Sequence, residues 1–213
     1  ANKSIHRVEK DGPMAGSAAQ KSEPKQDGRL NRSVKTKAAI AAAFVEMVDE
    51  GNLAPTSEQV ALRAGVGHRT VFRHFQEMES LYSAIRDEIF KLIEPILTEI
   101  STDLPLEERI KLVVRQRIRF FKRITMFRRA LIARYWTSPA LQELTRQDEK
   151  LMRALLLKAL PECAALPIKT FEAADLLLSF ESWTRLKELQ RLSDAQARAV
   201  IEETVTELIT RAC

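Results

Sequence analysis

Between Glu58 and Glu77 the chain places Arg63, Arg69 and Arg73 together with His68 and His74, and no acid intervenes. Residues 28 to 45 repeat the pattern with Arg29, Arg32, Lys35 and Lys37, again without an Asp or Glu. The chain as a whole carries 34 basic and 29 acidic residues, so acids are common enough that their exclusion from two short segments is informative. A merely solvated face carries both signs, whereas a surface cleared of acids is built to meet an anion. The chemistry such residues support is nucleic-acid recognition. Arg bonds guanine O6 and N7 in bidentate fashion, and a Thr or Phe edge contacts the thymine methyl.

Catalytic chemistry has no comparable footing. The three histidines are His6, His68 and His74, two of them inside the basic segment just described. No GxSxG, P-loop, GxGxxG or HExxH pattern occurs, and no His and Cys are spaced as a dyad. Cys163 and Cys213 are too few for a disulfide framework or a metal cluster. The expectation is a protein that is not an enzyme and uses no cofactor or metal.

The elements that must position these side chains are helices. Apolar residues recur at helical spacing, only 6 glycines are present, and no convincing strand emerges. A first helix from Ser33 to Glu50 sets Ile40, Phe44 and Val48 on one face and closes at Gly51. Thr56-Ser-Glu-Gln59 is a capping box that opens a short helix ending at Gly65. A third helix runs from about Gly67 to Phe75, and a fourth starts near Met78 and stops at Pro95. The run T-S-E-Q-V-A-L-R-A-G-V-G-H-R-T-V-F-R-H-F over residues 56 to 75 carries the spacing of a helix-turn-helix. Ala61 is small where two helices cross, Gly65 supplies the positive φ of the turn, and Val66 and Val71 fill the wedge. At about 100° per residue, Val71 and Phe75 face inward while Arg69 and Arg73 lie opposite, flanked by Thr70 and Phe72. His68 then sits in the first turn, where a recognition helix meets base edges. His74 is placed either for a phosphate or for packing on the first helix.

The stretch from Ser33 to Ile85 resembles the N-terminal DNA-binding domain of TetR-type regulators. The residues that carry the resemblance are Phe44, Gly51, Thr56, Val60-Ala61, Ala64-Gly65-Val66, Thr70-Val71-Phe72, His74-Phe75, Glu79 and Leu81. The resemblance implies a phosphate contact for Thr56, base and phosphate contacts for positions 68 to 74, and a phosphate role for His74. Three positions depart from the family pattern. Gly67 replaces a side-chain cap, Phe72 replaces a Tyr, and Met78 replaces a Lys. Two of the family's phosphate contacts thus lack their usual side chains, which Lys35 and Lys37 on the basic first segment are placed to offset.

Beyond Pro105 the pattern continues with a basic helix to about Arg123, a shorter one over Met126 to Trp136, and a long one from Pro139 to Leu160. Two last helices cover about Lys169 to Arg191 and Asp194 to Arg211, the latter opened by the capping box Ser193-Asp-Ala-Gln196. The first of this pair is apolar on more than one face. Either it is buried within one chain or it meets a second copy, and two short recognition helices reaching successive major grooves favour the dimer. Leu178, Trp183, Val205 and Leu208 are the expected interface. Phe120, Phe121, Phe127, Tyr135 and Trp136, with Trp183, are candidates for an effector pocket, although aromatics at this spacing also serve as ordinary core.

Together these readings give an all-α protein of about nine helices. A disordered arm spans residues 1–28, a helix-turn-helix domain 29–82, and an effector-binding and dimerisation domain 83–213. The arm holds almost no large apolar residue, and part of it is expected to come from processing. With no signal-type apolar stretch and no run long enough for a membrane span, a cytoplasmic protein with no membrane partner is expected. The expected function is a repressor that binds double-stranded palindromic DNA as a homodimer and is released by a small-molecule effector. An activator, or a DNA-binding regulator without an effector, is the alternative.

Overall fold

The structure is a computed structural model, and it describes residues 27–76 and 78–212. Among the described residues every regular element is helical. The first helix, α1, spans Asp27–Asp49, starting earlier than the sequence suggests because no proline interrupts the run before Ser33. Residues 27 and 28 of the expected disordered arm therefore open α1, and the rest of that arm lies outside the described residues. Then follow α2 (Ser57–Ala64), α3 (His68–Gln76) and α4 (Met78–Ile93). The capping box predicted at Thr56 is formed: Gln59 N–H donates to Thr56 Oγ1 at 3.2 Å, and Thr56 N–H donates to Gln59 Oε1 at 3.0 Å. Gly65 closes α2 at φ 65°, and its N–H reaches the carbonyls of Ala61 and Leu62. Helices α1 to α4 enclose a core of Ile40, Phe44, Val48, Val60, Val71, Leu81 and Ile85, all buried. Each such aliphatic side chain contributes roughly 1.5–3 kcal/mol on leaving water.

The body comprises α5 (Leu106–Tyr135), α6 (Pro139–Ala159), α7 (Ile168–Leu177), α8 (Phe180–Thr184) and α9 (Asp194–Thr210). Two expectations are corrected. The basic helix and the shorter helix after it are one element of 30 residues, α5. Nothing in the sequence breaks it, and Thr125 satisfies its hydroxyl within the helix by donating to Phe121 O at 2.7 Å. Conversely, the expected helix over Lys169 to Arg191 is divided. Ser179 caps a new start by accepting from Ser182 N–H, so α7 ends and α8 begins with a change of direction. After α8 the chain widens into a π-turn over Arg185–Leu189 and leaves it through Arg191 at φ 56°.

The two cores are not separate. Phe127 and Ala130 of α5 and Leu141 of α6 are buried in the core of α1 to α4, and Ile89 of α4 packs against both clusters. Arg123 of α5 pairs with Asp49 at the end of α1, one of its two contacts measuring 3.1 Å. The boundary expected after residue 82 falls inside α4, which is common to both parts. Arg109, almost wholly buried, fastens the far end: it donates to Leu104 O and Ala159 O and forms a two-pronged pair with Glu162.

Candidate nucleic-acid interface and cavity

Gly65 and the wedge of Val66 and Val71 hold α3 against α2, with Val71 fully buried. This orientation leaves the opposite side of α3 in solvent. His68, Arg69, Phe72 and Arg73 are exposed and Thr70 is half-buried, as the helical angle predicts. Arg69 and Arg73 form no ion pair among the described residues. Phe72 leaves 53% of its surface in water with no polar group to justify the position, which suits an apolar contact made only in a complex. His68 Nε2 lies 3.0 Å from Ser57 Oγ, so the first turn of α3 is tied to the start of α2. Thr56 is exposed at that same helix start, where unpaired backbone N–H groups attract phosphate. Lys35 is exposed on α1 and Lys37 is half-buried.

His74 is placed otherwise than the family resemblance implies. It is only 3% exposed, turned toward α1, and shares a cleft of about 290 Å³ with Arg32, Ser33, Thr36, Thr70 and Arg73. A ring so covered is not presented to a phosphate in this arrangement, and of the two expected placements the packed one fits its burial. The cleft itself brings Arg32 of α1 beside Arg73 of α3, a pairing that sequence spacing does not disclose. Arg63 also leaves the basic set, because Glu50 holds it through two contacts of 2.8 Å. The pair raises the Arg63 pKa and holds the Glu50 carboxyl below its ordinary value. The side chain of Phe75 lies outside the described residues.

A second feature is a cavity of about 810 Å³ among α4, α5, α6 and α8. Phe120, Phe121, Phe127, Tyr135 and Trp136, all expected from the sequence, line it. Trp183 does not. It is 4% exposed and belongs to the core of the body, with Lys187 Nζ 5.8 Å from its ring centroid. The wall is mainly apolar, and Ile132, Trp136 and Leu189 leave 62%, 77% and 72% of their surfaces open at its mouth. Arg185, Glu188 and Leu189 of the π-turn also line it. Sequence reasoning missed the contributions of α4, including Ile85, Arg86 and Ile89, because their helical spacing reads simply as core. Arg117 lines the cavity as well, and its guanidinium is pulled down by burial while Asp175 and Glu149 oppose that shift. Burial pushes the Glu149 and Asp148 carboxyls up, against Arg128 and Arg86 respectively.

Leu178, Trp183 and Val205 are also corrected as interface residues. They are 1%, 4% and 0% exposed within a single chain, packed in its own core, so no second copy is needed to cover them. Leu208 is half-buried, and Val200, four and eight residues before Thr204 and Leu208 on one stripe of α9, is 40% exposed.

A capped short helix, a left-handed glycine and an exposed basic helix seated on a helical body define a helix-turn-helix DNA-binding unit. Residues 39–85 match the family model described as bacterial regulatory proteins, tetR family, and this match supports a DNA-binding transcriptional regulator. The comparisons with curated proteins and with solved structures gave no match. No described helix is long and apolar enough to cross a membrane.

Proposed function

We propose that the chain is a repressor that binds a palindromic operator as a homodimer and leaves it when a small molecule fills the cavity. The observation that supports this reading is the double role of α4. Its Ile85 is buried in the core that seats α1 and α3, while Ile85, Arg86, Ile89 and Ile93 line the cavity. A ligand that displaces α4 therefore acts on the helices that carry Arg69 and Arg73. Such release requires the ligand to bind the DNA-free arrangement more tightly than the DNA-bound one. On the DNA, Arg69, Arg73 and Thr70 read base edges, His68 and Phe72 border them, and Thr56, Lys35 and Lys37 grip phosphates. The dimer forms through apolar surface that one chain leaves open, for which Leu176, Val200 and Leu208 are the candidates.

Selection of bound duplexes from a random pool tests this directly. A two-fold symmetric consensus, with half-sites about one helical turn apart, is expected. A single asymmetric site bound at full strength by one chain removes the dimer reading, and no enrichment at all removes sequence-specific binding.

A further inference from the structure

Most charges that line the cavity cancel in pairs. Arg86 Nε meets Asp148 Oδ1 at 2.5 Å, Arg128 meets Glu181 at 2.7 Å, and Arg129 meets Glu188 at 2.5 Å. Arg117, Glu149 and Arg185 stand outside this pairing, and of the three only Arg117 is buried. Its side chain is almost wholly covered, and one of its terminal nitrogens donates to Met152 O at 2.7 Å. None of its nitrogens is sealed in the core without a partner, and the residue lines the cavity. A guanidinium presents five donors and stays charged in proteins, so this one has donors to spare. The acids around it do not consume them. Asp175 is bound by Arg153 at 3.0 Å, and Glu149 makes no ion pair among the described residues. Along α5, successive turns beyond Arg117 present Phe121, Ile124 and Phe127 to the same space.

From this we infer that the cavity takes an amphipathic anion: a carboxylate-type head on Arg117, with an apolar body along Phe121, Ile124 and Phe127. The assignment rests on the reading of the cavity as an effector site and names the chemical class of that effector. An isolated anion gains little from an apolar wall, and a neutral hydrocarbon leaves a buried cation facing empty space, so each half of the ligand answers one half of the site. The volume lies within the range of pockets that enclose most of a small ligand, about 300–1,000 Å³.

The test titrates the full chain with decanoate, decanol and decylammonium, each below its aggregation concentration, by calorimetry and by Trp136 fluorescence. Decanoate is expected to bind at least about tenfold more tightly than decanol, the scale of one charge-assisted hydrogen bond, with decylammonium weakest. Arg117→Met should bring decanoate down to the level of decanol and leave decanol unchanged, whereas Arg117→Lys should retain part of the preference. Equal binding of carboxylate and alcohol, preference for the ammonium, or binding of none of the three overturns the assignment. If Arg117→Met fails to fold, the head-group ranking in the parent decides alone. A gel shift on the selected operator separates this proposal from the one beneath it. Decanoate that binds with the expected ranking yet leaves DNA affinity untouched supports the ligand class and removes release by ligand. Operator binding without any amphiphile binding keeps the DNA-binding reading and overturns the ligand class.

Discussion

At the residue scale, Arg69 is distinguished by what it lacks: exposed on α3, it makes no ion pair among the described residues, while Arg63 six residues earlier is held by Glu50. Arg69→Ala should lose discrimination between cognate and scrambled duplexes by about 1–3 kcal/mol, the worth of a bidentate guanine contact. Lys35→Ala should instead weaken both duplexes alike and reduce the salt slope by about one. Titrations at several salt concentrations separate the two, and equal losses for Arg69→Ala on both duplexes would remove it as a reader. Gly65 is a different kind of position. A Cβ there meets nothing within 4 Å, so a substitution is opposed by the backbone alone, at φ +65°. Gly65→Val should cost roughly 1–3 kcal/mol, and Gly65→Asn distinctly less, since Asn tolerates the left-handed region. Thermal unfolding of the two variants checks this order; equal melting would mean that the turn is not the constraint. Thr56, Gly65 and the outward side of α3 were legible because capping, positive φ and helical angle act locally. The burial of His74 was legible only as one of two alternatives, because choosing between them depends on how α3 sits in the fold.

At the element scale the same division holds. The starts of α2, α6 and α9 follow from Thr56, Ser138-Pro139 and Ser193, whose side chains accept from the first turn of each helix. The continuity of α5 and the break at Ser179 were not readable: apolar spacing is nearly uninterrupted through both, and what decides is whether a hydroxyl is satisfied inside the helix or caps a new one. Arg109 illustrates an element held by a contact remote in sequence. It joins the start of α5 to the chain after α6, and its partner Glu162 has a carboxyl held below the usual range chiefly by Arg109. Arg109→Met should destabilise the chain by about 2 kcal/mol or more, since it also strands the carbonyls of Leu104 and Ala159. A lowered carboxyl pKa in the folded state contributes stability that is fully present above the ordinary value near 4.3 and fades as pH falls through the lowered one. The difference between parent and Arg109→Met should therefore narrow in acid. Denaturant titrations at neutral pH and below pH 4 or so measure it, and a gap independent of pH would remove the ion pair as its source.

At the scale of the whole molecule, the apolar residues of α7 to α9 divide into two sets that sequence pattern alone does not distinguish. Both obey helical spacing. Ala197, Ile201, Val205 and Ile209 recur every four residues and are almost fully buried within one chain, and Leu178 joins them. Val200 and Leu208 lie on a neighbouring stripe of α9 that the chain covers only in part, and Leu176 is 64% exposed on α7. The inner set holds the fold, and the outer set is the surface proposed above to meet a second copy. Substituting Asp in each set should thus give different failures. Val205→Asp strands a carboxylate in the core, an insertion that costs several kcal/mol, and should lower the melting temperature sharply or prevent folding. Leu208→Asp combined with Leu176→Asp should leave the helical content and melting of the dissociated chain close to normal while shifting the mass from dimer to monomer. Such a monomer loses the second half-site as an effectively intramolecular contact, so its affinity for the full palindrome should fall steeply while that for an isolated half-site changes little. Light scattering coupled to size exclusion gives the mass, and gel shifts on full and half sites give the affinities. A double variant that stays dimeric would move the interface to another face, and a parent that is monomeric at the concentrations where it binds DNA would remove the two-fold mechanism.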